Sequence, residues 1–155
     1  MATLKVKIQE DIILDNQDYS SKRTLEIGSI NEISKRIVTV PADGDTVIAS
    51  FKSATSVADG AFDIQDVKYI RLTNLDSSNS VNLNLLIDDD ENDASHSESA
   101  IVILEAGKSF IMGSPHDSIA VFSSTSVDTN FYDLESIMID SGSNAVNIEV
   151  IIASA

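Results

Sequence analysis

The sequence predicts an all-β chain, an antiparallel β-sandwich or jelly-roll-like fold in a single domain. Three observations predict it. A hairpin-like segment occurs twice, as SNSVNLNLLI over 78–87 and SNAVNIEVII over 143–152. In each copy a polar turn leads into strict apolar/polar alternation, the pattern of a half-buried strand. Similar short alternating segments, separated by turn signals, recur along the chain, as in sandwiches and closed antiparallel barrels. Finally, 155 residues make one domain by length, and such a domain buries roughly 70% of its unfolded surface.

Leu4, Val6 and Ile8 alternate with polar residues and predict a first strand, ended by the turn cluster Asp15-Asn16-Gln17-Asp18. A second extended segment runs from Tyr19 to Ile27. Ile27, Ile30, Ile33 and Ile37 then fall at helical spacing, and Ser29 with Glu32 resembles a capping box. The β-branched run from Arg36 to Val40 argues the other way, so 30–40 reads mainly as strand with one helical turn as the alternative. Thr46–Ser53 follows the turn at Ala42-Asp43-Gly44-Asp45. Val67–Asn74 and Val81–Ile87 form a strand and its partner, and Ser136–Asp140 with Ala145–Ala153 forms the equivalent pair. Between them lie strands at Ala100–Glu105, Ser109–Met112 and Ser118–Ser123. Both repeats end in adjacent apolar residues, Leu86-Ile87 and Ile151-Ile152. Such strands are either central and covered on both faces or covered on one face by another subunit.

Charge is distributed unevenly. Residues 1–40 carry six basic and six acidic groups, which leaves four of the 10 basic and nineteen of the 25 acidic groups for 41–155; the whole net charge of −15 lies there. A surface of that sign repels phosphate backbones, so nucleic acid is not an expected partner. The near-neutral first 40 residues are the candidate partner-facing region. There is no cysteine, which removes disulfides and zinc–thiolate sites. No apolar run approaches a membrane span and no signal peptide is visible. A soluble protein made in a cytoplasm is the expectation, without membrane contact.

No catalytic constellation emerges. The acidic run Asp88-Asp89-Asp90-Glu91-Asn92-Asp93 places Asp88, Asp90 and Asn92 at alternating positions, as in an EF-hand loop. Asp93 stands where that loop needs glycine and Ser99 where it needs glutamate, so this is a weak calcium candidate beside a solvated loop. His96 and His116 have no ligand spacing, there is no G-x-S-x-G elbow, and no phosphate-cradling glycine loop follows a strand. No catalytic residue or cofactor is expected. With no tryptophan and few tyrosines the chain lacks an aromatic platform; Phe51, Phe62, Phe110 and Phe122 read as core. Phe131-Tyr132 offers an exposed contact pair, although Phe131 itself reads as buried.

The stretch Val67-Lys68-Tyr69-Ile70-Arg71-Leu72-Thr73-Asn74-Leu75-Asp76, then Leu104-Glu105-Ala106-Gly107-Lys108-Ser109-Phe110-Ile111, and the closing 148–153 strand together resemble small β-sandwich virion proteins of tailed bacteriophages. Those include capsid decoration, or cement, proteins, and the resemblance covers roughly 35–153. It implies a non-enzymatic virion protein that bridges major capsid or other virion subunits from outside the shell, commonly as a trimer, with no cofactor. A carbohydrate- or receptor-binding module of a tail, neck or fibre is the alternative. Residues 1–13 are the candidate arm, ahead of a sandwich over 14–155, with Lys5, Val6, Lys7 and Ile8 as contact residues.

Overall fold

Successive side chains of an extended strand point to opposite faces, so alternating sequence becomes a sheet with one oily side. A computed structural model describes residues 1–53, 61–88, 97–120 and 131–155. Its strands are β1 (Ala2–Glu10), β2 (Ile13–Leu14), β3 (Gln17–Asp18), β4 (Ser21–Ile30), β5 (Glu32–Val40), β6 (Asp45–Lys52), β7 (Phe62–Asp63), β8 (Val67–Asn74), β9 (Val81–Asp88), β10 (Ser97–Leu104), β11 (Ser109–Met112), β12 (Asp133–Asp140) and β13 (Val146–Ser154). No helix occurs among the described residues. The chain is all-β, as its alternation predicts.

Two sheets face each other. One has the order β10-β9-β12-β6-β7 and the other β11-β8-β13-β5. Every pairing is antiparallel except the short β6–β7 contact. When the eight long strands from β5 onward are numbered in chain order, the sheets read 5-4-7-2 and 6-3-8-1, which is the strand order of a jelly roll. The inner faces share one core. Phe51, Leu83 and Ile137 from the first sheet cluster with Leu72, Ile148 and Ile152 from the second, and all six are essentially inaccessible. Phe62 and Phe110 pack partly buried against that core.

The repeated segment is not a hairpin in either copy. β8 pairs with β11 and β13, while β9 pairs with β10 and β12. Each polar turn therefore carries the chain from one sheet to the other. Buried polar side chains brace these corners. Asn74, fully buried, donates to the carbonyls of Asn79 (2.8 Å) and Leu104 (3.2 Å) and accepts from the Asp76 amide at 2.9 Å. At the second corner the buried Ser141 hydroxyl donates to the Pro41 carbonyl at 2.7 Å. Two facing apolar strands can either pair or stack, and alternation alone does not distinguish them.

The doubled apolar ends have a defined place. β9 and β13 are central strands, with Ile87 and Ile152 turned into the core. Ile151, on the opposite face of β13, is covered by residues from the N-terminal segment. The isoleucines at 27, 30, 33 and 37 do not form a helix. Ser29 adopts a left-handed φ of 60°, which offsets the alternation between β4 and β5. Ile30 is buried, while Ile33 and Ile37 are exposed.

Candidate interaction surface

The N-terminal strand does not stand alone. β1 pairs with β4 over its length, with Leu4 opposite Ile27, Val6 opposite Leu25 and Ile8 opposite Arg23. The intervening chain folds back through β2 and β3. Asp15 and Asn16, both at positive φ (51° and 61°), form the two-residue connection that a tight hairpin favours. The boundary expected after residue 13 thus falls inside a hairpin that extends to Ile30.

Register makes this ribbon two-faced. Directly opposed residues share a face, so Leu4, Val6, Ile8, Leu25 and Ile27 lie on one side. Lys5, Lys7, Glu26 and Thr24 lie on the other, where Lys5 and Glu26 form an exposed ion pair at 2.7 Å. The apolar side is covered only at its root. There Leu4, Val6 and Ile27 pack with Ile30, Tyr69, Ala153 and Ile151 on the outer face of the four-stranded sheet. Further out, Ile8 is 50% exposed and Leu25 57%, and at the tip Ile13 reaches 76%. Val6, Ile8, Arg23 and Leu25 line a shallow groove of about 400 Å³ along this face.

Of the contact residues expected from sequence, Lys5, Val6, Lys7 and Ile8 share β1, with the lysines and the apolar pair on opposite faces. Phe131 is 56% exposed rather than buried; its neighbour Tyr132 is half-buried and bridges Ile119. The structure does not bring this pair together with β1 in one hydrophobic cluster. The calcium candidate rests on Asp90 and Asn92, which lie outside the described residues together with His96 and Phe122; of Asp88 only the backbone, at the end of β9, is described. Sequence reasoning missed Leu25 and Ile27 as the other half of the ribbon. The signal was present: alternation on either side of the Asp15–Asp18 turn is hairpin patterning.

Two other places gather ionisable side chains. His116 Nδ1 lies 2.7 Å from Asp133 Oδ1, and its Nε2 lies 3.2 Å from Asp117 Oδ2. One ligand atom from each of His116, Asp117 and Asp133 lies within 4.8 Å of the others, a spacing open to a metal ion, and the same contacts clamp the imidazole. The Asp133 carboxylate also accepts the Asp117 amide at 2.8 Å. This cluster ties the 114–118 turn to β12. A cavity of about 440 Å³ opens at one end of the sandwich, lined by Glu32, Arg36, Asp63 and Asp66 among others. The Arg36 guanidinium there donates to the Ile48 carbonyl, joining the β5 edge to the opposite sheet.

On the outer face of the four-stranded sheet, Glu149 accepts from Arg71 and pairs with Lys35 at 3.3 Å. Arg71 on β8 and Lys35 on β5 both stand opposite Ile151 of β13, and Glu149 reaches them diagonally from two residues along, a partly exposed network across the three strands.

No protein-family model and no curated protein matches the chain. A solved structure described as "Bacillus endospore appendages form a novel family of disulfide-linked pili" is 12% identical, with a TM-score of 0.38 over 82% of this chain and 88% of that one. Likeness at that level carries no argument. None of the three comparisons adds support to the bacteriophage resemblance.

Proposed function

We propose that this chain is a non-enzymatic structural subunit that works by docking its N-terminal hairpin onto a neighbouring subunit, in a virion shell of the kind the bacteriophage resemblance implies. The observation that carries the reading is the uncovered outer half of the hairpin's apolar face, at Ile8 and Leu25, together with the exposed tip at Ile13. A two-stranded ribbon is marginally stable in water on its own. Beyond its root this one has no core to lean on, and a partner surface would complete it.

Magnitudes favour an arrayed setting. Ile8, Leu25, Ile13 and Leu14 are half to three-quarters exposed, so covering the remainder is worth roughly 0.8–2 kcal/mol each. Association costs roughly 4–15 kcal/mol. A single contact is therefore weak, and the same contact repeated on a lattice becomes strong through effective concentration. Full-length protein carrying Ile13→Asp and Leu14→Asp, both exposed at the hairpin tip, tests this. Binding to particles stripped of the protein should fall at least tenfold, whereas undiminished occupancy overturns the reading.

Jelly rolls also serve as lectin domains, and Tyr19 and Phe131 are exposed aromatics. That favours a receptor- or carbohydrate-binding role as the second reading. Saturable glycan-array binding lost on Phe131→Ala would establish it over the first.

A further inference from the structure

The outer face of the five-stranded sheet has a second unpartnered surface. Three rows cross it, read from the register. Ile101, Asn84, Met138 and Val47 form the middle row; Ser99, Leu86, Ser136 and Ser50 flank it on one side, and Ile103, Asn82, Asp140 and Asp45 on the other. Ile101 and Ile103 are each 66% exposed and Val47 is 54% exposed. These residues face water on a body that carries the whole net charge of the chain. Asn84 Oδ1, in the middle row, is buried without a hydrogen-bond donor.

The flanking row is incomplete in a second way. Asp45 and Asp140 stand opposite each other on adjacent strands, where like charges repel. Neither has a cationic partner among the described residues. The surface thus offers an apolar band edged by two carboxylates. The hairpin offers an apolar band, Ile8 and Leu25, edged on the same face by Arg23, with Glu10 beyond it held by the Ser21 hydroxyl.

We propose that this outer face, centred on Ile101, Met138 and Val47, receives the apolar face of the hairpin from a second copy of the chain, with Arg23 meeting Asp45 and Asp140. The proposal rests on reading the hairpin as a docking arm and names what the arm docks on. Charge favours the second copy's sheet as acceptor, because it sets two carboxylates, Asp45 and Asp140, side by side beside its apolar band for Arg23 to meet. The two surfaces differ, so the contact is head-to-tail and propagates until it closes into a ring or runs on as a filament. Closure after three copies would give the trimer that the resemblance implies. A nine-residue ribbon is about 30 Å long and 10 Å wide; its root packs on the chain's own sheet, so the free outer half covers about 150 Å² per partner. That is well below the roughly 800 Å² per partner of a standard interface, so association should be concentration-dependent.

The test uses full-length Leu25→Glu and Ile101→Glu, both at exposed positions, checked for native circular dichroism and sized by sedimentation up to about 500 µM, a range that populates weak contacts. Each variant alone should self-associate at least tenfold more weakly than the parent. Their equimolar mixture should form a 1:1 complex and stop there, because only one donor face and one acceptor face remain intact. If Leu25→Glu abolishes association and Ile101→Glu does not, this acceptor face is overturned while the docking arm stands. If neither matters, both are overturned. A parent that stays monomeric throughout overturns the second copy as partner and leaves the arm to the particle-binding test.

Discussion

Asp45 of β6 and Asp140 of β12 face each other across adjacent antiparallel strands, with no cationic partner among the described residues. Cross-strand pairs contribute roughly 0.2–1 kcal/mol, with the sign set by charge. Asp140→Asn keeps the acceptor for the Gly142 amide, which the aspartate now holds at 2.8 Å. It should therefore stabilise the isolated chain by up to about 1 kcal/mol, or about 2–4 °C in Tm, and weaken self-association at the same time. Calorimetry and sedimentation on the one variant check both signs.

Asn74 is the corner brace most exposed to failure. It satisfies two carbonyls and one amide from a site with no access to water. Asn74→Ala leaves those carbonyls without donors, and each buried orphan costs roughly 1–3 kcal/mol. Urea unfolding should show a lower midpoint with an unchanged slope. Asn74→Asp should be at least as damaging, since an ionised carboxylate cannot donate.

Tyr69 ties the hairpin root to pH. Burial pushes its phenol above the ordinary value of 10.0, opposed in part by the nearby Arg71 charge. A folded-state value raised above the unfolded one means that the stabilisation is complete below the ordinary value. It is lost as pH rises through the folded one. Ultraviolet titration should show the Tyr69 phenol ionising above the ordinary value. Tyr69→Phe should remove the late phase and make the hairpin root less sensitive to alkali.

The ion pair of Lys5 with Glu26 should contribute little. Both side chains are more than half exposed, and such pairs are worth about 0–1 kcal/mol. Lys5→Ala should leave thermal unfolding within a degree or two of the parent, by calorimetry. A large loss would mean that the polar face of the ribbon matters more than the apolar one.

Much of the fold is legible in the sequence because alternation encodes which face of a strand is buried. Val67–Asn74 and Ser109–Met112 are read with their observed ends. Pairing is less legible. Val67–Asn74 and Val81–Ile87 look like a hairpin because the turn between them is polar and short, yet the chain changes sheets there under the hold of Asn74. The hairpin was half visible. Leu4, Val6 and Ile8 announce an arm, but Leu25 and Ile27 belong with them only through register set across the left-handed Asp15-Asn16 turn. Phe131 is read both as half of an exposed contact pair and as buried, because an aromatic ring beside a turn satisfies either pattern, and it faces solvent.

Amide hydrogen exchange of the hairpin, in the free chain and in its native assembly, tests the central claim most directly. In the free chain, amides around Ile8 and Leu25 should exchange quickly, as expected for a ribbon without a core, while those of β8 and β13 are protected. Assembly should slow exchange at Ile8 and Leu25 by at least tenfold. Equal exchange in the two states would contradict the account.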